Sequence, residues 1–189
     1  DYEMQAFEEN YAMTPVEYLD HIGVLSSRLI MVNGIHLTPH DIELMKQHDV
    51  SLIHCIGANT KAGKGVAPLD QLLAAGVRVG LGTDGPSSGN TLDLFVQMRL
   101  IPSFQKTWLH DRSIFPASQV VRLATYGGAE ALGLAQQIGS LEAGKKADFI
   151  LMDMDGVNMF PVHDPYAVLV YSANASNVQE VYVNGNLLV

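Results

Sequence analysis

Residues 77–100 read VRVGLGTDGPSSGNTLDLFVQMRL, and this stretch decides the fold. An apolar run at residues 77–82 ends just before Asp84 and a Gly-Pro-Ser loop. Beyond the loop, apolar residues recur at the spacing of one helical face. They are Leu92, Phe95, Val96 and Leu100. The stretch therefore predicts a buried strand, a polar loop and a helix.

Two earlier segments repeat this order of strand, loop and helix. The run at residues 28–33 (RLIMVN) precedes a helix that Thr38 can cap and that Pro39 begins. The run at residues 50–55 (VSLIHC) precedes a helix with a leucine-rich face, made of Leu69, Leu72 and Leu73. Continuous apolar runs bounded by turns are typical of parallel strands covered on both faces. The predicted fold class is therefore α/β.

Polar side chains stand where the three predicted strands end. Asn33 follows the first strand, His54 ends the second, and Asp84 follows the third. In α/β folds the carboxyl ends of parallel strands lie at one edge of the sheet, and that edge carries the working residues. We therefore expect a site that brings these side chains together.

The last part of the chain has a different character. From about Gln137, Gly and Lys turns accompany a β-rich run in IGSLEAGKKADFILMD. The end, NVQEVYVNGNLLV, has the pattern of two strands joined by Asn184 and Gly185, a pair typical of tight hairpins. These features predict an α/β part at residues 1–136 and a β-rich part at residues 137–189.

Composition and charge exclude several classes of function. The chain carries a formal net charge of −9 and only 11 Lys and Arg, so a surface that tracks nucleic-acid phosphates is not expected. No apolar run approaches the roughly 20 residues that span a bilayer, and the polar start DYEMQAFEEN is unlike a signal peptide. The single cysteine, Cys55, suits a reducing compartment. We expect a cytoplasmic protein with neither a nucleic-acid nor a membrane partner.

Several blocks of the sequence, in the right order, resemble one family. VGLGTDGPSSGNTLDLFVQMRL resembles the last barrel strand and loop of amidohydrolases in the branch of S-adenosylhomocysteine and methylthioadenosine deaminases, guanine deaminases and triazine hydrolases. IHCIGANTKAGKGVAPLDQLLAAGV is similar to the preceding strand of that branch, with His54, Asn59 and Lys61 at matching positions. IGSLEAGKKADFILMD and VHDPYAVLVYSANASNVQEVYVNG resemble its C-terminal β-domain. The resemblance extends over essentially the whole chain.

The resemblance implies a fold of which this chain holds a part. Family members form a (β/α)8 barrel of the TIM type, with a small β-sandwich built from both chain ends. Counted back from Asp84, the three strands of this sequence match the sixth, seventh and eighth of the barrel. Three strand-helix units cannot close a barrel, because closure fixes strand number, tilt and shear together. We therefore expect the C-terminal portion of a barrel, about strands 6 to 8, plus part of the β-sandwich, in a fragment or in one piece of a larger assembly.

The resemblance also implies a hydrolytic metal site. Family members use a divalent metal, zinc or iron, to activate a water molecule that displaces ammonia or another leaving group from a nitrogen heterocycle. Their metal ligands are a His-x-His pair after the first strand, a histidine after the fifth and an aspartate after the eighth, which only Asp84 matches here. Asp84 is thus expected to be a metal ligand and a catalytic proton acceptor, although a turn aspartate is the ordinary interpretation of such a position. With one ligand, this chain alone is expected not to retain the metal.

Three further residues are expected around the substrate. His54 and Ser88 match substrate contacts of the family, and Asn33 is the third. A histidine at a strand end is also commonly a hydrogen-bonded core residue, and a loop serine is an ordinary turn former. Asn33 departs from the family pattern, which has at this position a histidine that orients the attacking water. Asparagine donates and accepts hydrogen bonds but cannot gain a proton near neutral pH. Either the chemistry differs from standard deamination, or this copy is weakened.

Cys55 and three other histidines are assigned no catalytic role. Cys55 and His54 are neighbours along a strand and point to opposite faces, which prevents a nucleophile and base pair. His36, His40 and His48 lack carboxylate or cysteine partners at ligand spacing, so a solvated helix face is predicted.

Two functions of different classes stay open. The leading hypothesis is a metal-dependent hydrolase, expected as a homo-oligomer, that acts on the C–N bond of a small-molecule substrate, a purine-like or other nitrogen heterocycle. The alternative is a catalytically inactive amidohydrolase-like binding or assembly protein. The TDGPSS loop favours the first and Asn33 favours the second. A dinucleotide-binding fold is not supported, because no G-x-G-x-x-G follows any strand.

Overall fold

A computed structural model of the chain describes residues 2–189. The elements up to residue 136 are α1 (Tyr2–Tyr11), α2 (Pro15–His21), β1 (Ile30–Val32), α3 (Pro39–Gln47), β2 (Ser51–His54), α4 (Ile56–Lys61), α5 (Leu69–Ala74), β3 (Arg78–Leu81), α6 (Pro86–Gly89), α7 (Leu94–Leu109), α8 (Ala117–Arg122), a π-helical turn (Leu123–Gly127) and α9 (Gly128–Ala131). The elements that follow are β4 (Phe149–Met152), a 3-10 turn (Val157–Met159), α10 (Pro165–Tyr171), a second 3-10 turn (Ala175–Asn177), β5 (Val178–Val183) and β6 (Asn186–Leu187).

The first three strands form a parallel sheet in the order β1, β2, β3. Ser51 of β2 pairs with Ile30 on one side and with Arg78 on the other. The central strand β2 is almost wholly buried, whereas the outer strand β1 leaves Val32 52% exposed. The α/β class and the three strand-helix repeats predicted from the sequence are confirmed.

Two threonines begin the helices on either side of β1. Thr14 caps α2 and Thr38 caps α3, each in a capping box with the acidic residue three positions on and with Pro at the first turn. The Thr14 hydroxyl also donates a hydrogen bond to the carboxylate of Asp41, which is 1% exposed. This contact ties the start of α2 to the start of α3.

Helix α7 crosses the core with a partly polar buried face. Its fully enclosed side chains include Gln97, Ile101 and Gln105. The Gln97 side chain accepts a hydrogen bond from the Gly57 amide at 2.8 Å, and Gln105 donates to the Ala67 carbonyl at 2.9 Å. The sequence prediction was wrong for Leu92, which precedes the helix and is 67% exposed.

Glycines allow the helical segment at residues 117–131 to approach β3 closely. A Cβ at Gly127 would lie 2.6 Å from the Val79 carbonyl oxygen, and a Cβ at Gly80 would lie 2.9 Å from the Cα of Gly128. The π-helical turn sits at this contact. Backbone therefore packs directly on backbone behind the strand that leads to Asp84.

The last part of the chain forms an antiparallel sheet in the order β4, β5, β6. Asn184 and Gly185, with φ of 51° and 76°, make the tight turn between β5 and β6, which confirms the predicted hairpin. Between β4 and β5 lies α10, which the sequence pattern did not predict. Its Val170 is fully buried in the main core, and Arg99 of α7 donates to the Ala173 carbonyl at 2.8 Å. Throughout residues 2–189, no helix combines the length and apolar content needed to cross a bilayer.

Candidate active site

A cavity of about 620 Å³ lies at the carboxyl edge of the parallel sheet. Three of the residues predicted from the sequence line it: Asn33, Asp84 and Ser88. Asn59 and Lys61 of α4 line it too. His54, the fourth predicted residue, is fully buried at the end of β2 and is not part of the wall. The edge of the sheet thus brings together three of the four expected side chains.

Asp84 stands at a sharp turn directly after β3. Its backbone has a φ of 59°, in the left-handed region that Asn and Asp tolerate better than other side chains. Its carboxylate accepts a hydrogen bond from the Gly85 amide at 2.7 Å, and α6 begins at Pro86. Asp84 is therefore not the N-cap of a helix; its exposed side chain faces the cavity region at the end of the strand.

Asn33 also adopts a left-handed backbone, with a φ of 73°. Its amide donates to the Ile53 carbonyl at 3.0 Å and so continues the ladder between β1 and β2. Its side-chain oxygen is enclosed and finds no hydrogen-bond partner within residues 2–189. An unpaired buried polar atom costs about 1 to 3 kcal/mol, and residues held at such cost and in this backbone region cluster at functional sites.

His54 is held in one tautomer by the neighbouring strand. Its Nδ1 atom is hydrogen-bonded to the main-chain oxygen of Asn33 at 3.3 Å. Because a carbonyl only accepts, Nδ1 carries the proton and Nε2 keeps a lone pair, for which residues 2–189 offer no partner. Burial lowers the pKa of His54 to about 4, against a smaller opposing effect of the Asn33 carbonyl. His54 is therefore a neutral imidazole at pH 7.

Cys55 lies beside Asp84 but is not set up as a nucleophile. The thiol is 2% exposed, and burial raises its pKa. A backbone contact with Asp84 lowers the pKa, while the negative charge of Asp84 raises it further. A protonated, enclosed thiol agrees with the inert role predicted from the sequence.

Lys61 and Asn59 come from the short helix α4, and no role was predicted for either of them. The Lys61 ammonium donates to the Ser88 carbonyl at 2.9 Å and to the side-chain oxygen of Asn90. Asn59 is 4% exposed, and its side-chain nitrogen has no hydrogen-bond partner within the described residues. Both residues match the family motif that follows the second strand. The contacts of Lys61 with Ser88 and Asn90 join residues far apart in sequence, so only the structure shows them.

His36, His40 and His48 do not form a common face. His36 precedes α3 and lines the cavity. His48 lies 2.8 Å from the carboxylate of Asp20, and His40 lies 3.9 Å from that of Glu17, both on α2. The His48 side chain is 38% exposed, and its partner carboxylate comes from α2, which the local sequence around His48 does not contain.

A metal ion would need more than the ligands found here. Among residues 2–189, no three His, Cys, Asp or Glu side chains lie close enough to hold one ion. The exposed Asp84 carboxylate fits the role of a single hard oxygen ligand for a divalent cation. Further ligands would have to come from outside these residues.

The sheet and its cavity define an α/β protein whose candidate site is built on loops that follow parallel strands. The family model for the amidohydrolase family matches residues 1–188. The chain belongs to this family, and the resemblance predicted from its sequence is confirmed.

Relatives in this family include deaminases and chlorohydrolases. The chain is 41% identical over 187 residues to the 5-methylthioadenosine/S-adenosylhomocysteine deaminase of Moorella thermoacetica, covering 99% of this chain and 44% of that protein. A zinc-bound adenosine deaminase from Xanthomonas campestris has a TM-score of 0.94 at 34% identity, covering 98% of this chain and 42% of that one. A zinc complex of atrazine chlorohydrolase from Arthrobacter aurescens has a TM-score of 0.91 at 30% identity, covering 98% and 41%. The chain thus spans less than half the length of each of these relatives.

Proposed function

We propose that the whole protein is a metal-dependent hydrolase that removes the amino group of a purine-type nitrogen heterocycle. One observation carries the proposal: Asp84, held in a left-handed turn at the end of β3, shares a cavity with Asn33 and Ser88. The same edge of the sheet carries the working residues in many α/β enzymes. Membership in a family with deaminase relatives supports the same reaction class.

The substrate we propose is an adenine nucleoside or a close analogue. The relative from Moorella is named for 5-methylthioadenosine and S-adenosylhomocysteine, and the Xanthomonas structure is described as an adenosine deaminase. All three substrates carry the same aminopurine ring.

Asp84 would be one metal ligand and the proton carrier of the reaction. A divalent metal such as zinc or iron, when bound, would lower the pKa of a water molecule at this site. The Asp84 carboxylate accepts the proton released by that water and returns it to the amino nitrogen, which leaves as ammonia. The remaining hydroxyl group of the water takes the place of the amino group on the ring carbon.

The other residues would hold the heterocycle. Ser88 and Asn33 both line the cavity, where the Ser88 hydroxyl can donate to or accept from the ring and the Asn33 amide nitrogen can donate to a ring nitrogen. His54 is buried behind Asn33 and fixes its main chain. In this arrangement His54 supports the site rather than contacting the substrate.

We further propose that β1, β2 and β3 are the sixth to eighth strands of a (β/α)8 barrel, and that residues 137–189 contribute to a β-sandwich. β1 is an edge strand that exposes 37% of Ile30 and 52% of Val32, and apolar edge strands require a neighbour. At and just after β6, Leu187 and Leu188 are also exposed, at 57% and 62%. A homo-oligomer stays part of this proposal.

An inactive binding protein is the second candidate, and Asn33 is the observation that favours it. The amide cannot take up a proton near pH 7. The two candidates differ in what happens to the substrate once the metal is bound.

The deciding experiment uses the whole protein loaded with zinc or iron. Adenosine, 5-methylthioadenosine and S-adenosylhomocysteine are each supplied, and ammonia release is followed together with the absorbance change of the ring. We expect turnover of at least one of them, lost on chelation and restored by the metal. A protein that binds one metal per chain but releases no ammonia from any of them supports the inactive candidate.

A further inference from the structure

Residues 83–91 form a loop, here named the Asp84 loop, that carries both Asp84 and Ser88. Its own hydrogen bonds are local. Gly85 bonds to Asp84, and the amides of Ser88 and Gly89 bond to the Gly85 carbonyl. The loop ends at Asn90, which has a φ of 59° and bonds back to Pro86. Within residues 2–189, the hydrogen bonds of this loop stay within residues 83–93, apart from those from Lys61 and a backbone contact of Asp84 with Cys55.

Lys61 joins this loop to the neighbouring strand-helix unit. It is the last residue of α4, which follows β2, whereas the Asp84 loop follows β3. Its ammonium donates to two acceptors, the Ser88 carbonyl at 2.9 Å and the Asn90 side-chain oxygen. Hydrogen bonds from a charged donor are stronger than neutral ones, and two acceptors fix a direction as well as a distance.

The loop also packs tightly where Lys61 holds it. A Cβ at Gly89 would lie 2.8 Å from the Thr83 carbonyl oxygen and 4.0 Å from the amide nitrogen of Ala58. The loop therefore folds back on its own start and lies against α4. Ser88 lies four positions and Asn90 six positions from Asp84 along the same loop.

We propose that Lys61 is a positioning residue for the reaction, acting through the Asp84 loop. It fixes where the Asp84 carboxylate and the Ser88 hydroxyl stand in the cavity. The kinetic part of this proposal rests on the proposed function. The restraint of the Asp84 loop by Lys61 does not depend on the proposed function, because it can be measured without a substrate.

Lys64 provides a matched control. It has the same charge, lines the same cavity and lies three residues further along the chain. Its ammonium makes no hydrogen bond or ion pair with any residue from 2 to 189. If the lysine acts only through its charge in the cavity, substitution of Lys61 or of Lys64 should have the same effect. If the lysine holds the Asp84 loop, only substitution of Lys61 should speed amide exchange in the loop.

The test compares Lys61→Met, Lys61→Arg and Lys64→Met in the whole protein. Amide hydrogen exchange of residues 84–90, the Kd for zinc, and kcat and KM on 5-methylthioadenosine are measured. We expect Lys61→Met to speed exchange in the loop and to weaken zinc binding and kcat by roughly 10-fold to 100-fold, the usual cost of losing a residue that orients a metal ligand. KM should change less, and Lys61→Arg should recover much of the loss. Lys64→Met serves as the control for loop restraint alone and should leave amide exchange of residues 84–90 at the rate of the parent.

A second variant keeps the proposal testable if Lys61→Met fails to fold. Asn90→Gly removes one acceptor and keeps the left-handed backbone, so it should loosen the loop in the same direction. The proposal would be overturned if amide exchange of residues 84–90 were unchanged in Lys61→Met or in Asn90→Gly. It would also be overturned if Lys64→Met changed this exchange as much as Lys61→Met does. A parent protein without zinc binding or deamination contradicts the proposed function instead, and the exchange data then still decide whether Lys61 holds the loop.

Discussion

The Nδ1 atom of His54 lies 3.3 Å from the main-chain oxygen of Asn33, so an imidazole joins the ends of two neighbouring strands. Asn33 is the residue at which the chain leaves β1 in a left-handed turn, and His54 is 0% exposed beneath it. A side chain in this position stabilises a loop conformation that its own residues do not favour. Its protonation state therefore matters for both the fold and the site.

We expect His54 to make the protein less stable in mild acid. In the unfolded chain a histidine titrates near pH 6.5, whereas burial lowers the pKa of folded His54 to about 4. As the pH falls from 6.5 to 4, the unfolded state takes up a proton that the folded state does not. The contribution of neutral His54 is thus complete above this window and is lost through it, by roughly 3 kcal/mol at most.

Urea unfolding of the parent and of His54→Gln from pH 7.5 to pH 4.5 measures this effect. The glutamine variant lacks the titrating group, so the difference between the two proteins should shrink as the pH falls. A His54 that titrates between pH 6 and 7 in the folded protein, followed by NMR, would contradict the expectation.

Asp84→Asn should abolish turnover while leaving the fold intact. Asparagine tolerates the left-handed backbone at this position as well as aspartate does. The amide loses both the anionic ligand and the proton acceptor, and we expect kcat/KM to fall by roughly 10²-fold to 10⁴-fold or more. Steady-state kinetics and metal analysis are compared with Ser87→Ala, a change at a neighbouring residue of the cavity wall. An Asp84→Asn variant that keeps its metal and most of its activity would refute the assignment of Asp84.

The sequence predicted the elements that depend on local patterns. The apolar runs located β2 and β3, Thr38 and Pro39 located the start of α3, and Asn184 with Gly185 located the hairpin. Each of these signals is contained within a few residues. The sequence did not predict α10, since that helix is short and its burial depends on packing against α7 and α8.

The cavity was predicted only in part, for a related reason. The carboxyl ends of parallel strands lie at the same edge of a sheet, so the sequence alone could assign Asn33 and Asp84 to one site. The burial of the His54 side chain outside the cavity could not be predicted. The alternating pattern of a strand does not determine on which side of the sheet its last residue lies, because the backbone turns there. The contacts of Lys61 with Ser88 and Asn90 join residues 27 and 29 positions apart, and no local pattern encodes them.

Two adjacent glycines should respond to the same substitution with opposite signs. At Gly127 an added methyl group would lie 2.6 Å from the Val79 carbonyl, so β3 or the π-helical turn has to move. We expect Gly127→Ala to lower the free energy of unfolding by roughly 1 to 3 kcal/mol. At Gly128 nothing lies within 4 Å and φ is −60°, so Gly128→Ala should be neutral or stabilising by up to about 1 kcal/mol.

Urea midpoints of the two alanine variants and the parent decide this point. Equal effects of the two substitutions would mean that the helix and β3 do not pack backbone on backbone. Because β3 leads to Asp84, Gly127→Ala should also reduce activity more than its loss of stability explains.

Asn33→His should raise kcat if the whole protein is the hydrolase proposed above. The left-handed backbone of Asn33 is no obstacle, since histidine is among the residues enriched in that region. An imidazole at the cavity wall can exchange a proton near pH 7, which the amide cannot do. A positioned acid or base contributes roughly 10²-fold to 10⁴-fold to a reaction, and kcat on an adenine nucleoside should rise within that limit.

The comparison that isolates this effect uses Asn33→Gly beside Asn33→His. Glycine keeps the backbone turn and removes the side chain, so it reports what the amide itself contributes. Steady-state kinetics on adenosine and 5-methylthioadenosine are measured at matched metal content. An interaction made mainly in the transition state should change kcat more than KM. Both Asn33→His and Asn33→Gly could instead lower kcat. The asparagine would then be a specificity contact for a different ring, and the hypothesis of a weakened deaminase would be wrong.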